Sequence, residues 1–170
     1  MATHHRILTH DELRRVRNGP DPDTPEGLAV SLLLAGCRPS ELVRLRRHDV
    51  LWDGRRAILQ LPVGGKGAGS QWHLPDHLGA PLLRFSLQLA EPDAPLLDLP
   101  GHQVSGALAV ACQRAGVQEA SVTTIRHALA FAARDAAAVG VAPDSRVVGW
   151  PCHSRLQALE HHFAAHPRAD

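Results

Sequence analysis

The stretch Leu32–Val50, LLLAGCRPSELVRLRRHDV, constrains the fold more than any other part of the chain. An apolar run, Leu32-Leu33-Leu34-Ala35, ends at Gly36, and Pro39 follows shortly after. Glycine just past one helix and proline in the first turn of the next mark a helix–turn–helix corner. Ser40 and Glu41 then open a short helix whose Leu42 and Leu45 recur at helical spacing. Arg38 is expected at this corner, with the backbone fixed on both sides. A guanidinium held there can grip a phosphate through two parallel hydrogen bonds. It could equally pair with Glu41 or cap a helix end.

The chain has 170 residues, enough for one domain with a real core. Its formal net charge of +1 makes it no polycation, so a nucleic-acid footprint would have to be a local patch. Two arginine clusters qualify: Arg14, Arg15 and Arg17, and then Arg44, Arg46 and Arg47, with Arg55 and Arg56 close behind. The 3 cysteines are widely spaced and form no CxxC pair. They suggest neither a zinc site nor a disulfide framework, which fits a reducing cytoplasm. The N-terminus, MATHHRILTHDEL, carries no signal-peptide core, and the longest apolar run, near Leu28–Ala35, is too short to span a bilayer. No metal site, cofactor or membrane association is expected.

Along the chain, Thr9-His10-Asp11-Glu12 is a capping-box pattern that opens a short helix ending near Arg17. Thr24-Pro25 starts a second helix, with an apolar face, that runs to Ala35. After the Arg38 corner and its short helix the period changes. Asp53-Gly54 is a hairpin signal, Ala57–Leu61 reads as a strand and Gln71–Leu74 as its returning partner. Between them lies a glycine-rich turn with Lys66 at its tip, which lacks the spacing of a P-loop. The rest reads as helices: Leu78–Leu89, Val104–Ala115, one capped by Thr123 or Thr124 and running to about Val139, Pro143–Val148, and roughly Ser154–Ala165. Glu91–Pro100 is a proline-rich connection. The expected fold class is α+β, mainly helical, with a small antiparallel sheet.

The pattern A-G-C-R-P-S-E-L-V-R-L-R-R-H-D-V resembles the first arginine box of the tyrosine recombinase (phage integrase) family, T-G-L-R-x-S-E-L-x-x-L-x-W-x-D. Gly36, Arg38, Ser40, Glu41, Leu42, Leu45 and Asp49 fall on matching positions. GGKGAGSQWHLP looks like the family's strand-turn-strand, with Lys66 where the general acid stands. Thr-Thr-Ile-Arg-His-Ala-Leu-Ala is similar to H-x-L-R-H-[ST]-F-A, with Arg126 on the second arginine and Thr123 in place of the usual histidine. Val148-Gly149-Trp150 is similar to L-G-[HW]. The resemblance covers nearly the whole chain. It implies a recombinase catalytic-domain-like bundle in which Arg38 and Arg126 neutralise the scissile phosphate, Lys66 protonates the leaving oxygen and the Trp150 indole donates a hydrogen bond.

The nucleophile breaks the pattern. The sequence contains 0 tyrosines, and family spacing places the expected one within Leu159-Glu160-His161-His162-Phe163. Strand cleavage through a phosphotyrosine is therefore not expected. The catalytic boxes also begin almost at Met1, so the family's N-terminal core-binding domain is expected to be absent and residues 1–170 to form a single integrase-like catalytic domain. The expected function is binding of double-stranded DNA in recombination or integration, with Arg44, Arg46 and Arg47 in the footprint. An active recombinase, or further copies of this chain, are the other partners considered. Two alternatives stay open. One is an inactive relic or a protein that only contacts an active recombinase. The other is a phosphoryl-transfer enzyme that uses His161 or His162 as nucleophile.

Overall fold

The computed structural model describes residues 7–61, 71–74, 76–118 and 120–129. Helix α1 spans His10–Asn18, α2 Pro25–Leu34 and α3 Pro39–Leu42, followed by a 3-10 turn at Arg47–Asp49. Strands β1 (Val50–Trp52), β2 (Ala57–Gln60) and β3 (Gln71–His73) form an antiparallel sheet in that spatial order. Helices α4 (Asp76–Gln88) and α5 (Gly101–Arg114) follow, and residues 122–129 are helical. The fold is mainly helical α+β, as expected from the sequence. The expected helices beyond residue 129 lie outside the described residues.

Local chemistry explains where the elements start. The capping box at α1 forms: Glu12 N–H donates to Thr9 Oγ1 at 3.3 Å, and Thr9 N–H donates to Glu12 Oε2 at 2.9 Å. Thr24 caps α2 by accepting from Gly27 N–H at 3.1 Å, with Pro25 in the first turn. α2 is apolar on every side and is buried nearly all round, from Gly27 to Val30 and from Leu32 to Leu34. It is the central rod on which α1, α3, α4 and α5 pack. Each buried leucine on it contributes roughly 2 kcal/mol of transfer free energy.

The sheet's register sorts its two faces. Val50 pairs with Leu59, and Leu59 with Trp72; Leu51 pairs with Ile58, and Ile58 with His73. Because side chains alternate, Ala57, Leu59, Trp72 and Leu74 point inward and are buried, whereas Gln60, Gln71 and His73 are exposed. α4 lies against the inward face. A Cβ on Gly79 would stand 2.9 Å from the Ala57 Cβ, so the helix can approach β2 this closely only with glycine there.

Two expectations are corrected. The helix after the corner ends at Leu42, although Leu45 continues the helical spacing and is fully buried. Leu45 reaches the core from an irregular segment that pairs with the proline-rich connection. Leu96 N–H donates to Leu45 O at 2.9 Å, Arg47 N–H to Ala94 O and His48 N–H to Pro92 O, both at 3.0 Å. These distant partners replace the helix's own hydrogen bonds. The other correction concerns the helix over 122–129. Its cap is Ser121, whose Oγ accepts from Thr124 N–H at 3.1 Å and whose carbonyl accepts from Ile125 N–H at 2.9 Å. Thr123 and Thr124 lie inside the first turn.

Candidate nucleic-acid interface

The corner at Arg38 is built by its neighbours. Gly36, with φ at 100°, is the left-handed residue of a Schellman motif. Cys37 N–H donates to Leu32 O at 3.0 Å, and Gly36 N–H to Leu33 O at 2.9 Å. Cys37, the next residue, is fully buried beside Leu32 at the helix end. The chain then turns outward at Arg38, whose extended backbone (φ −89°, ψ 148°) places it at the N-cap of α3. Pro39 occupies the first turn, and the Glu41 carboxylate reaches back to accept the Arg38 backbone N–H at 2.6 Å. Glu41 thus engages the backbone of Arg38. The guanidinium is exposed and has no hydrogen bond or ion pair among the described residues.

The residues of the box divide by role. Gly36, Pro39 and Glu41 shape the corner. Asp49, only 8% exposed, shapes the next one by accepting Arg46 N–H at 2.8 Å. Arg38 instead presents an exposed charged side chain to solvent. Glu41→Ala is expected to cost about 1 kcal/mol by orphaning the Arg38 N–H, a loss measurable by urea unfolding.

The arginine cluster divides by environment. Arg44 is exposed, and Arg46 and Arg47 are half-buried. Arg47 Nε donates to Ser86 O at 3.1 Å and a terminal nitrogen reaches Ala90 O at 3.4 Å. The Ser86 carbonyl lies in the last turn of α4 and that of Ala90 just beyond it, where a cation is favoured by both hydrogen bonding and the helix dipole. Beside it, His48 Nδ1 lies 3.0 Å from Pro92 O and 3.1 Å from Asp93 Oδ1. In the other cluster, Arg15 donates to Ala115 O at 2.9 Å, tying α1 to the end of α5, while Arg14 pairs with Asp11.

On the helix over 122–129, Thr124, Ile125, Ala128 and Leu129 are buried. Thr123, Arg126 and His127 share the opposite stripe, at positions i, i+3 and i+4. Thr123 is exposed, and Arg126 and His127 are half-buried. Thr123 therefore stands one turn before Arg126 on the same stripe. Lys66, Trp150, His161 and His162 lie outside the described residues. Among the described residues no group of three His, Cys, Asp or Glu side chains could hold a metal ion, and no helix is long and apolar enough to cross a membrane. A groove of about 680 Å³ between the α1–α2 turn, α2 and α5 contains none of the candidate residues.

The fold is similar to that of XerA recombinase. The crystal structure of that protein matches with a TM-score of 0.65 at 19% sequence identity, over 99% of this chain and 66% of that one. This chain thus spans about two thirds of the length of XerA recombinase. No protein-family profile and no curated protein sequence matches it. At this identity the likeness is one of fold. It agrees with the element order that the arginine-box resemblance implies.

Proposed function

We propose that this chain is a tyrosine-recombinase-like DNA-binding domain that acts in DNA recombination or integration without cleaving strands itself. The observation that carries the reading is the Arg38 corner. A Schellman glycine, a first-turn proline and a capping glutamate fix the backbone of one arginine and leave its guanidinium in solvent. Such a site suits a phosphate oxygen, whose charge the guanidinium meets with paired donors. In this reading Arg126 supplies the second guanidinium, Lys66 and Trp150 complete the cradle, and Arg44, Arg46 and Arg47 extend the contact along the duplex. Arg44 is the exposed member of that group; Arg47 contributes with the donors that α4 leaves over. The fold likeness to XerA recombinase supports the same reading. Residues 1–170 act as a single domain of this type, double-stranded DNA is its partner, and the cytoplasm is where it works.

Binding rests mainly on phosphate contacts, so it is weak, largely independent of sequence and steeply dependent on salt. Titration of a labelled duplex at low salt tests this. Arg38→Ala with Arg126→Ala should weaken binding and lower the slope of log K against log salt by about 2, because each phosphate no longer neutralised removes roughly 0.9. Absence of duplex binding by the unaltered chain, or binding unchanged in the double variant, refutes the reading.

A further inference from the structure

Leu51 and Trp52 are adjacent on the edge strand β1 and are 37% and 57% exposed. Trp52 pairs with Ala57 and so belongs to the sheet's inward face, yet its indole stands in solvent at the strand end. An exposed indole is costly to keep in water, and this one continues directly into a charged turn.

The turn is Asp53-Gly54-Arg55-Arg56. Gly54 has φ at 92°, which admits the tight reversal. Asp53 Oδ1 accepts the backbone N–H groups of Arg55 at 2.8 Å and Arg56 at 2.7 Å. Those two bonds, that of Arg56 first, hold the Asp53 carboxyl below its usual range. His73 Nδ1 lies 3.7 Å from its other oxygen. The carboxylate at the tip is thus occupied in holding the turn. Arg55 and Arg56 are exposed, and neither guanidinium has a hydrogen bond or ion pair among the described residues.

We propose that this hairpin tip binds single-stranded DNA, with Trp52 stacking on an unpaired base and Arg55 and Arg56 holding the flanking phosphates. The inference rests on the DNA-binding reading above and extends it from duplex phosphates to an unstacked base. An indole has the flat apolar face that every base can stack on, and neighbouring arginines supply the charge that tracks the backbone. Pairing of β1 with a second copy of this chain is the competing use of the edge. Two cations beside an edge strand are a common block on such pairing, and they favour a polyanion instead.

The full chain is titrated with a paired duplex and with the same duplex carrying a short single-stranded gap. The gapped form should bind about tenfold more tightly, with quenching of indole fluorescence. Trp52→Ala should erase that preference without altering paired-duplex binding, and Trp52→Phe should keep part of it. Arg55→Ala with Arg56→Ala should lower the salt slope on the gapped form by about 1.4, at roughly 0.7 per single-strand phosphate. Equal affinity for the two DNAs, or a preference that survives Trp52→Ala, overturns the proposal and leaves the duplex-binding reading standing. Failure to bind either DNA overturns both. Sedimentation as a dimer that Trp52→Ala dissociates, with no preference for the gap, assigns the edge to a second copy and overturns it as well.

Discussion

A suicide duplex nicked beside a recombination cleavage point should yield no covalent adduct with this chain. The reason is positional. Arginines and a lysine stabilise a pentacoordinate phosphate only once a nucleophile is in line with it, and the sequence holds 0 tyrosines. In the segment where the family places its tyrosine, Leu159 and Phe163 cannot attack phosphorus. His161 and His162 have shorter reach than a tyrosine on the same backbone. Denaturing gel electrophoresis of the reaction reads the result directly. An adduct stable to base, labile to acid and lost in His161→Ala with His162→Ala would be a phosphohistidine and would refute the non-cleaving reading. The complementary experiment installs tyrosine singly at each position from Leu159 to Phe163. Adduct formation at one of them, abolished by Arg38→Ala, would show that the cradle works and lacks only its nucleophile. Failure at every position would place a further defect elsewhere in the proposed cradle, first of all at Thr123, where the resemblance would set a histidine.

Gly27→Ala is expected to destabilise the fold by about 3 kcal/mol, although alanine is the better helix former by roughly 1 kcal/mol. The sign is decided by one backbone contact. A Cβ at Gly27 would stand 1.8 Å from Asp21 O and 2.6 Å from the Asp21 carbonyl carbon. Neither atom is a flexible side-chain end. Asp21 O also accepts from Thr24 N–H at 3.2 Å and Thr24 Oγ1 at 2.8 Å, so moving it disturbs the cap that starts α2. Because α1, α3, α4 and α5 all pack on α2, the loss should appear as a lower midpoint in thermal unfolding, by roughly 3 °C per kcal/mol at this size. Gly106→Ala in α5 is the control. Its Cβ would meet nothing within 4 Å, so helix propensity alone should act and stability should rise by up to about 1 kcal/mol. Equal effects from the two substitutions would mean that the contact at Asp21 is not what keeps glycine at position 27.

Several features are decided by the sequence because their physics is local. Thr9 and Glu12 are three residues apart and close a capping box with no help from the rest of the molecule. Gly36 and Pro39 fix a helix end and a helix start within one turn of chain, which is why the Arg38 corner is legible. Asp53-Gly54 announces the hairpin in the same way. The central position of α2 follows from a segment apolar on every side, which only a fully surrounded helix can satisfy.

Tertiary structure alone decides what depends on partners far along the chain. Leu45 fits the helical period of Leu42, but its backbone pairs with Leu96, so the helix stops and the arginines after it leave the helical pattern. Arg47 reads as a DNA contact from its charge, yet its hydrogen bonds go to Ser86 and Ala90, some forty residues away, which no local signal announces. Ser121 takes the cap over Thr123 and Thr124 because Thr124 and Ile125 turn inward, and that choice is set by the core. The same holds for Trp52. Its place at the end of an edge strand leaves it exposed, next to Arg55 and Arg56, whose neighbouring carboxylate Asp53 is already engaged in the turn.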